Sequence, residues 1–371
     1  MLSCNTGEGH NSTAKAVADS LARYGVSAEL QDALSFLSPK FSKFICNWHV
    51  RIYRYAPKLF DAGYRVAERY TAEQEDTDFL YEALALGAEK LRRFLEEGDF
   101  DAVVCSHVFS GMMMTEVSRK WGVKVPCLFV ATDYSCAPYT EQCEMDAYFI
   151  PDQCLIPEYI AAGLPQRRLI PSGIPIRQQF YTKEPKAQAR RTLGLPETGI
   201  VVLLMGGSMG CGPMGKIAKR IKERIPADST VVTVCGRNER LYESLEDLTD
   251  DHFRVLGFTQ EISRYMDASD FIVTKPGGLS ATEAANKHLP MVFLNVVGGC
   301  EAGNFETFLQ KGYAVGSKNA SEVVDLVDGL IQRPERLARM ESLLAENFHT
   351  NGADVIARNT IAAAKAYRNA D

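Results

Sequence analysis

The chain has 371 residues, 46% of them apolar and 24% charged, with a formal net charge of −6. These are globular values on a chain long enough for two domains, and the acidic balance argues against nucleic acid as a partner of the whole surface. No run of roughly 18 apolar residues could span a membrane, and no charged segment followed by an apolar one opens the chain as a secretion signal does, so the expected compartment is the cytoplasm.

Gly7-Glu8-Gly9-His10 reads as a turn between a first strand and a helix from about Ser12 to Tyr24. Few residues precede it, where strands take ~5, so either the true start lies upstream or the first strand is trimmed. Between residues 36 and 70, Phe41, Phe44, Ile45, Trp48 and Ile52 recur at helical spacing. Lys40, Lys43, Arg51, Arg54, Lys58, Arg65 and Arg69 stand there against only Asp61 and Glu68. A basic amphipathic helix with Trp and Phe suits an anionic membrane surface. A core-facing helix with a solvated basic side has the same pattern, and both readings are open on the residues alone.

Strands follow at Ala102 to Ser106, Pro126 to Ala131, Ala147 to Ile150 and Arg168 to Pro171, with a helix from Gly111 to Lys120. Strand alternating with helix means a parallel sheet covered on both faces. His10, His107 and Asp133, each at a strand end, should gather at its carboxyl edge, where open α/β sheets bind ligands. The Pro- and Gly-containing stretch Pro171 to Pro185 reads as a linker. The expected division is 1–172, 186–350 and a C-terminal helix in 351–371.

The second set begins with a strand, Val201 to Met205, and the glycine loop Gly206-Gly207-Ser208-Met209-Gly210-Cys211-Gly212, with Pro213 suited to the first turn of a helix. Thr230 to Cys235 is a strand leading to Gly236-Arg237-Asn238-Glu239, and Val255 to Thr259 ends another. The most informative stretch is Phe271 to Asn304. An apolar strand is broken by Lys275-Pro276-Gly277-Gly278, and Ser280 is expected as the N-cap of a helix to about His288, with Glu283 at capping-box spacing. Met291 to Leu294 is a buried strand, and Gly298-Gly299 turn the chain ahead of Glu301 and Asn304. A glycine turn into a helix start is an anion site, and a carboxylate one turn into the helix can face a sugar hydroxyl beside that anion.

Some patterns mislead. Gly210, Gly215 and Lys216 nearly spell a P-loop, but Ile217 has no hydroxyl for magnesium and Pro213 interrupts the loop. Asp76-Thr77-Asp78 mimics a metal motif, yet no strand precedes it and it reads as solvated charge, so no metal is expected. The ten cysteines include no Cys-x-x-Cys pair; Cys105, Cys127 and Cys235 lie in apolar runs and read as reduced core thiols.

Lys275 to Glu283, followed by Glu301-x-x-Asn304, resembles the donor half of the diacylglycerol glycosyltransferases. These are the monogalactosyldiacylglycerol synthases and the bacterial processive diacylglycerol glucosyltransferases, similar in turn to the N-acetylglucosaminyltransferase of the lipid-linked peptidoglycan precursor. The resemblance covers nearly the whole chain. It implies the GT-B fold, two facing Rossmann-like domains with the active site in the cleft and a C-terminal helix crossing back to the first. It implies inverting, metal-independent transfer of a hexose from UDP-sugar, a substrate rather than a cofactor, to diacylglycerol or a glycosyl-diacylglycerol. His10 corresponds to the proposed base and Asp133 to a segment near the acceptor. The donor would meet Gly9, Gly207, Ser208, Met209, Arg237, Asn238, Phe258 (by backbone), Gly277, Gly278, Ser280 and Glu283, with Glu283 on the ribose and Glu301 and Asn304 on the sugar. The family's use of its first domain to approach the membrane favours Lys43, Phe44, Trp48, Arg51 and Arg54 as a face on the inner side of the cell membrane. The chain departs from the pattern at Ala137-Pro138, where relatives often have His-Pro, and at Cys300, where many have Gln. A UDP-sugar epimerase of the same architecture and a non-catalytic UDP-sugar sensor are the alternatives; the sequence leaves the hexose, the acceptor lipid and the oligomeric state open.

Overall fold

The computed structural model describes residues 1–5, 8–38, 40, 42, 77–207, 213–294 and 299–369. Two compact units divide the chain: one of residues 1–177, 298–300 and 350–371, the other of residues 178–297 and 301–349.

The first unit carries β1 (Leu2–Ser3), β2 (Gln31–Asp32), β3 (Val103–Cys105), β4 (Cys127–Val130), β5 (Ala147–Ile150) and β6 (Leu169–Pro171), a parallel sheet ordered β2-β1-β3-β4-β5-β6. Its helices include α1 (Glu8–Arg23), α2 (Thr77–Gly98) and α3 (Val108–Trp121). Val17 and Leu21 of α1 pack with Val104, Leu128 and Phe149 of the sheet and with Ile356 and Ala357 of the C-terminal helix Gly352–Arg368. That helix is tied to α1 through the Tyr24 hydroxyl, which donates to Asp354 at 2.6 Å and accepts from Arg358 at 2.7 Å. Helix α1 begins four residues before the expected Ser12. The Gly-Glu-Gly-His stretch is therefore not all turn: Glu8 to His10 form the first helical turn, where an acidic residue favours the helix dipole.

The second unit carries β7 (Val201–Met205), β8 (Thr230–Val234), β9 (Phe253–Leu256), β10 (Phe271–Thr274), β11 (Met291–Leu294) and β12 (Ala314–Ser317), parallel throughout and ordered β12-β11-β10-β7-β8-β9. Every residue of β7, β8, β10 and β11 is buried, because both faces of the sheet are covered, and β7 and β11 accordingly read as continuous apolar runs. Pro213 stands at the cap position of the helix Met214–Arg224, not inside its first turn.

Chain order reverses between β1 and β3 in one sheet and between β7 and β10 in the other. Open α/β sheets bind ligands beyond the carboxyl ends of the strands at such a reversal, because the loops there part and leave a crevice.

Candidate functional site

At the first reversal, His10 is the third residue of α1 and Ser106 follows β3. His10 Nδ1 lies 2.8 Å from the Ser106 carbonyl and 3.2 Å from the Thr132 hydroxyl. A carbonyl only accepts, so Nδ1 carries the proton and Nε2 is left as the basic nitrogen. Desolvation of the ring lowers the His10 pKa from its ordinary value, against the raising effect of the Ser106 bond. The ring is thus a neutral base with its tautomer fixed.

His107 contacts His10 edge to face, with ring centroids 4.5 Å apart. Its own Nδ1 accepts the Phe109 amide at 3.1 Å and caps α3, which puts the proton of a neutral His107 on Nε2. The two neighbouring imidazoles therefore hold opposite tautomers. Asp133 is linked to His10 through the Thr132 hydroxyl, which donates to its Oδ2 at 3.2 Å. Below this pair, Asn11 accepts from Ser3 at 2.7 Å and donates to Asn5 at 2.7 Å, and Asn5 donates to Asp32 at 2.9 Å, fastening the ends of β1, β2 and α1 together.

At the second reversal, β10 leads through Lys275, Pro276 and Gly277 into helix α4 (Gly278–Asn286). Gly277 is its N-cap, and no side chain caps the helix. Ser280 is therefore not the cap, and its capping box with Glu283 does not form. The turn after β10 is too short for it, and the helix starts two residues earlier than Ser280. Glu283, 5% exposed, lies in the second turn of α4. Gly207 follows β7 with φ +74, the left-handed region that favours glycine, and a Cβ there would lie 3.1 Å from Lys275 Cε.

Helix α5 (Cys300–Gln310) supplies Glu301 and Asn304. Glu301 pairs with Lys275 at 2.8 Å, and the buried Asn304 donates to the Pro276 carbonyl at 2.9 Å. The Arg237 guanidinium lies over the Phe258 ring, 5.4 Å from its centroid, and Phe258 is 59% exposed. The Asn238 side chain accepts the Leu241 amide at 3.2 Å as the cap of a short helix. Gly9 sits in α1, and a Cβ there would meet nothing within 4 Å, so space does not demand glycine at that position.

The sequence reading did not single out Ser106, Thr132 and Lys275 as positioning groups. Ser106 acts through its backbone, which no residue type signals. Ser208, Met209, Lys43, Phe44, Trp48, Arg51 and Arg54 lie outside the described residues, as do the side chains of the Asp76–Asp78 run. Cys105, Cys127 and Cys235 are buried thiols; burial pushes Cys105 up to about 12 and Cys235 to about 11.

Residues 10–176 match the family model described as monogalactosyldiacylglycerol (MGDG) synthase, and residues 215–343 match glycosyl transferases group 1. The processive diacylglycerol beta-glucosyltransferase of Bacillus pumilus is 25% identical over 347 residues, covering 92% of this chain and 88% of that protein. MurG of Acinetobacter baumannii matches with a TM-score of 0.63 at 14% identity, over 97% of this chain and 98% of that one. A putative UDP-N-acetylglucosamine 2-epimerase from Listeria monocytogenes matches with a TM-score of 0.56 at 15% identity, over 79% and 81%. The two parallel six-stranded sheets and the matched models define a glycosyltransferase of the GT-B fold. Within that class, the chain is similar over nearly its whole length to the processive diacylglycerol beta-glucosyltransferases.

Proposed function

We propose that the protein transfers a hexose from a UDP-sugar to the hydroxyl of diacylglycerol or of a glycosyl-diacylglycerol, inverting the anomeric carbon and using no metal. The observation that carries this reading is His10, a neutral imidazole whose Nδ1 proton is held by the Ser106 carbonyl at the β1/β3 reversal. An alcohol is a weak nucleophile at neutral pH and needs a base within hydrogen-bond reach. Nε2 takes the acceptor proton as the alcohol oxygen forms its bond to the anomeric carbon. The bond from that carbon to the UDP oxygen breaks in the same displacement, so the configuration inverts. Negative charge then builds on the departing diphosphate, where Arg237 and the uncapped amides of α4 are suited to meet it. Glu283 would hold the ribose, and Glu301 and Asn304 the donor sugar.

The donor half is tested by calorimetry with EDTA present. UDP should bind, and Glu283→Ala should weaken it by ~1.5–3 kcal/mol, the loss of a charge-assisted hydrogen bond. Binding that requires magnesium, or is unchanged in a folded variant, removes Glu283 or metal independence from the account. An epimerase would turn over UDP-sugar with no lipid present; a sensor would bind it and turn over nothing.

Action at the membrane surface rests on the seven basic against two acidic residues of 36–70. No described helix is long and apolar enough to cross a membrane. Binding to anionic vesicles should exceed binding to neutral ones and weaken with salt. Replacing Lys43, Arg51 and Arg54 by Glu should abolish flotation with anionic vesicles and leave UDP affinity intact. Equal flotation of the two proteins means the stretch does not face the membrane.

A further inference from the structure

Glu301 is only 9% exposed, and a carboxylate that far from water needs a counter-charge. Lys275 supplies it: Nζ lies 2.8 Å from Glu301 Oε1, with the two side chains 20% and 11% exposed. Exposed lysine pairs fix little, because both chains keep their rotamers and water screens the charge. Here the lysine stem is confined. A Cβ at Gly207 would lie 3.1 Å from Lys275 Cε and one at Gly277 3.7 Å from it, so the stem runs along the turns that end β7 and begin α4. Its ammonium then lands on the first turn of α5. One turn further along α5, Asn304 fastens the same helix to the Pro276 carbonyl. Two bonds, one ionic and one neutral, thus lock the Glu301 helix to the turn at the β7/β10 reversal.

We infer that Lys275 is a positioning residue that sets how much the donor sugar adds to nucleotide affinity, by holding the Glu301 carboxylate in the orientation that receives the sugar's hydroxyls. The inference rests on the proposed function, which places Glu301 against the sugar and the nucleotide elsewhere on the unit. A carboxylate fixed by a charge-assisted bond accepts hydroxyl protons at a defined angle. Without its counter-ion it swings toward water or takes a proton, and that discrimination is lost.

The test is a double-mutant cycle read by calorimetry as the ratio of the UDP Kd to the UDP-glucose Kd, with melting curves on every variant. Lys275→Met and Glu301→Gln should each lower the ratio about tenfold or more, the scale expected for truncating one member of a buried charge pair. The double variant should lower it no further than the larger single change, because both act through one interaction. Lys275→Arg should recover part of the ratio, and Lys275→Gln gives the same reading if the methionine variant does not fold. Additive effects, or a Lys275→Met variant that weakens UDP and UDP-glucose by the same factor, overturn the inference while the function stands. A wild-type protein that binds neither ligand overturns both.

Discussion

His10→Ala is expected to lower kcat by ~10²–10⁴-fold while leaving UDP-sugar affinity almost unchanged, the pattern of a group needed only in the transition state. The Ser106 carbonyl leaves the imidazole one basic nitrogen, and Thr132 closes the other side of the same Nδ1 proton. Burial lowers the His10 pKa, so the acid limb of kcat/KM should fall below the ordinary histidine value of ~6.5. The folded protein binds fewer protons than the unfolded chain between the lowered pKa and ~6.5, so this contribution is full above ~6.5 and is lost as pH falls through that window. His10→Ala removes both the limb and that part of the pH-dependent stability. A variant that keeps most of its kcat and loses only thermal stability makes His10 structural, and Asp133 and His107 become the candidates for the base.

The largest stability effect is expected away from the chemistry, at Lys287 and Asp267. Their side chains are 1% and 3% exposed and 2.6 Å apart, and Lys287 also donates to the Thr182 carbonyl. Burial pushes the Asp267 carboxyl up and the Lys287 ammonium down, so each depends on its partner to stay charged. Lys287→Met strands a buried carboxylate and should cost about 3–5 kcal/mol in the urea unfolding of the second unit. Replacing both, Lys287→Met with Asp267→Leu, should recover most of that loss, because no charge is then left without a partner. A single variant within about 1 kcal/mol of wild type, on the scale of an exposed pair, would mean the pair is solvated.

Much of this was legible in the chain. Strands β7 and β11 of the second unit announced themselves because they are buried on both faces and carry unbroken apolar runs, Val201–Met205 and Met291–Leu294. The stretch from Lys275 to Asn304 pointed to a ligand site because glycines, a helix start and carboxylates follow one another within one βα unit. What local pattern could not give was pairing across the fold. Ser106 lies 96 residues from His10, and Lys275 lies 26 from Glu301. The first contact exists because β1 and β3 lie side by side where the chain order reverses, the second because β10 and β11 are neighbours in the sheet. The Ser280 expectation failed for a local reason. Spacing to Glu283 matches a capping box, but with β10 ending at Thr274 the helix follows after three residues and Gly277 takes the cap. Gly9 of the first motif misled in the opposite direction, since it is inside α1 and not in a turn.

The central claim is tested most directly by incubating the protein with UDP-glucose, UDP-galactose and UDP-N-acetylglucosamine, each with vesicles containing diacylglycerol, and weighing the extracted lipids by mass spectrometry. The account predicts diacylglycerol carrying one or more hexoses from at least one UDP-hexose, β-linked if the donor is α-linked, formed with EDTA present and lost in His10→Ala. Lipid of unchanged mass, while the UDP-sugar is epimerised, hydrolysed or merely bound, would contradict it.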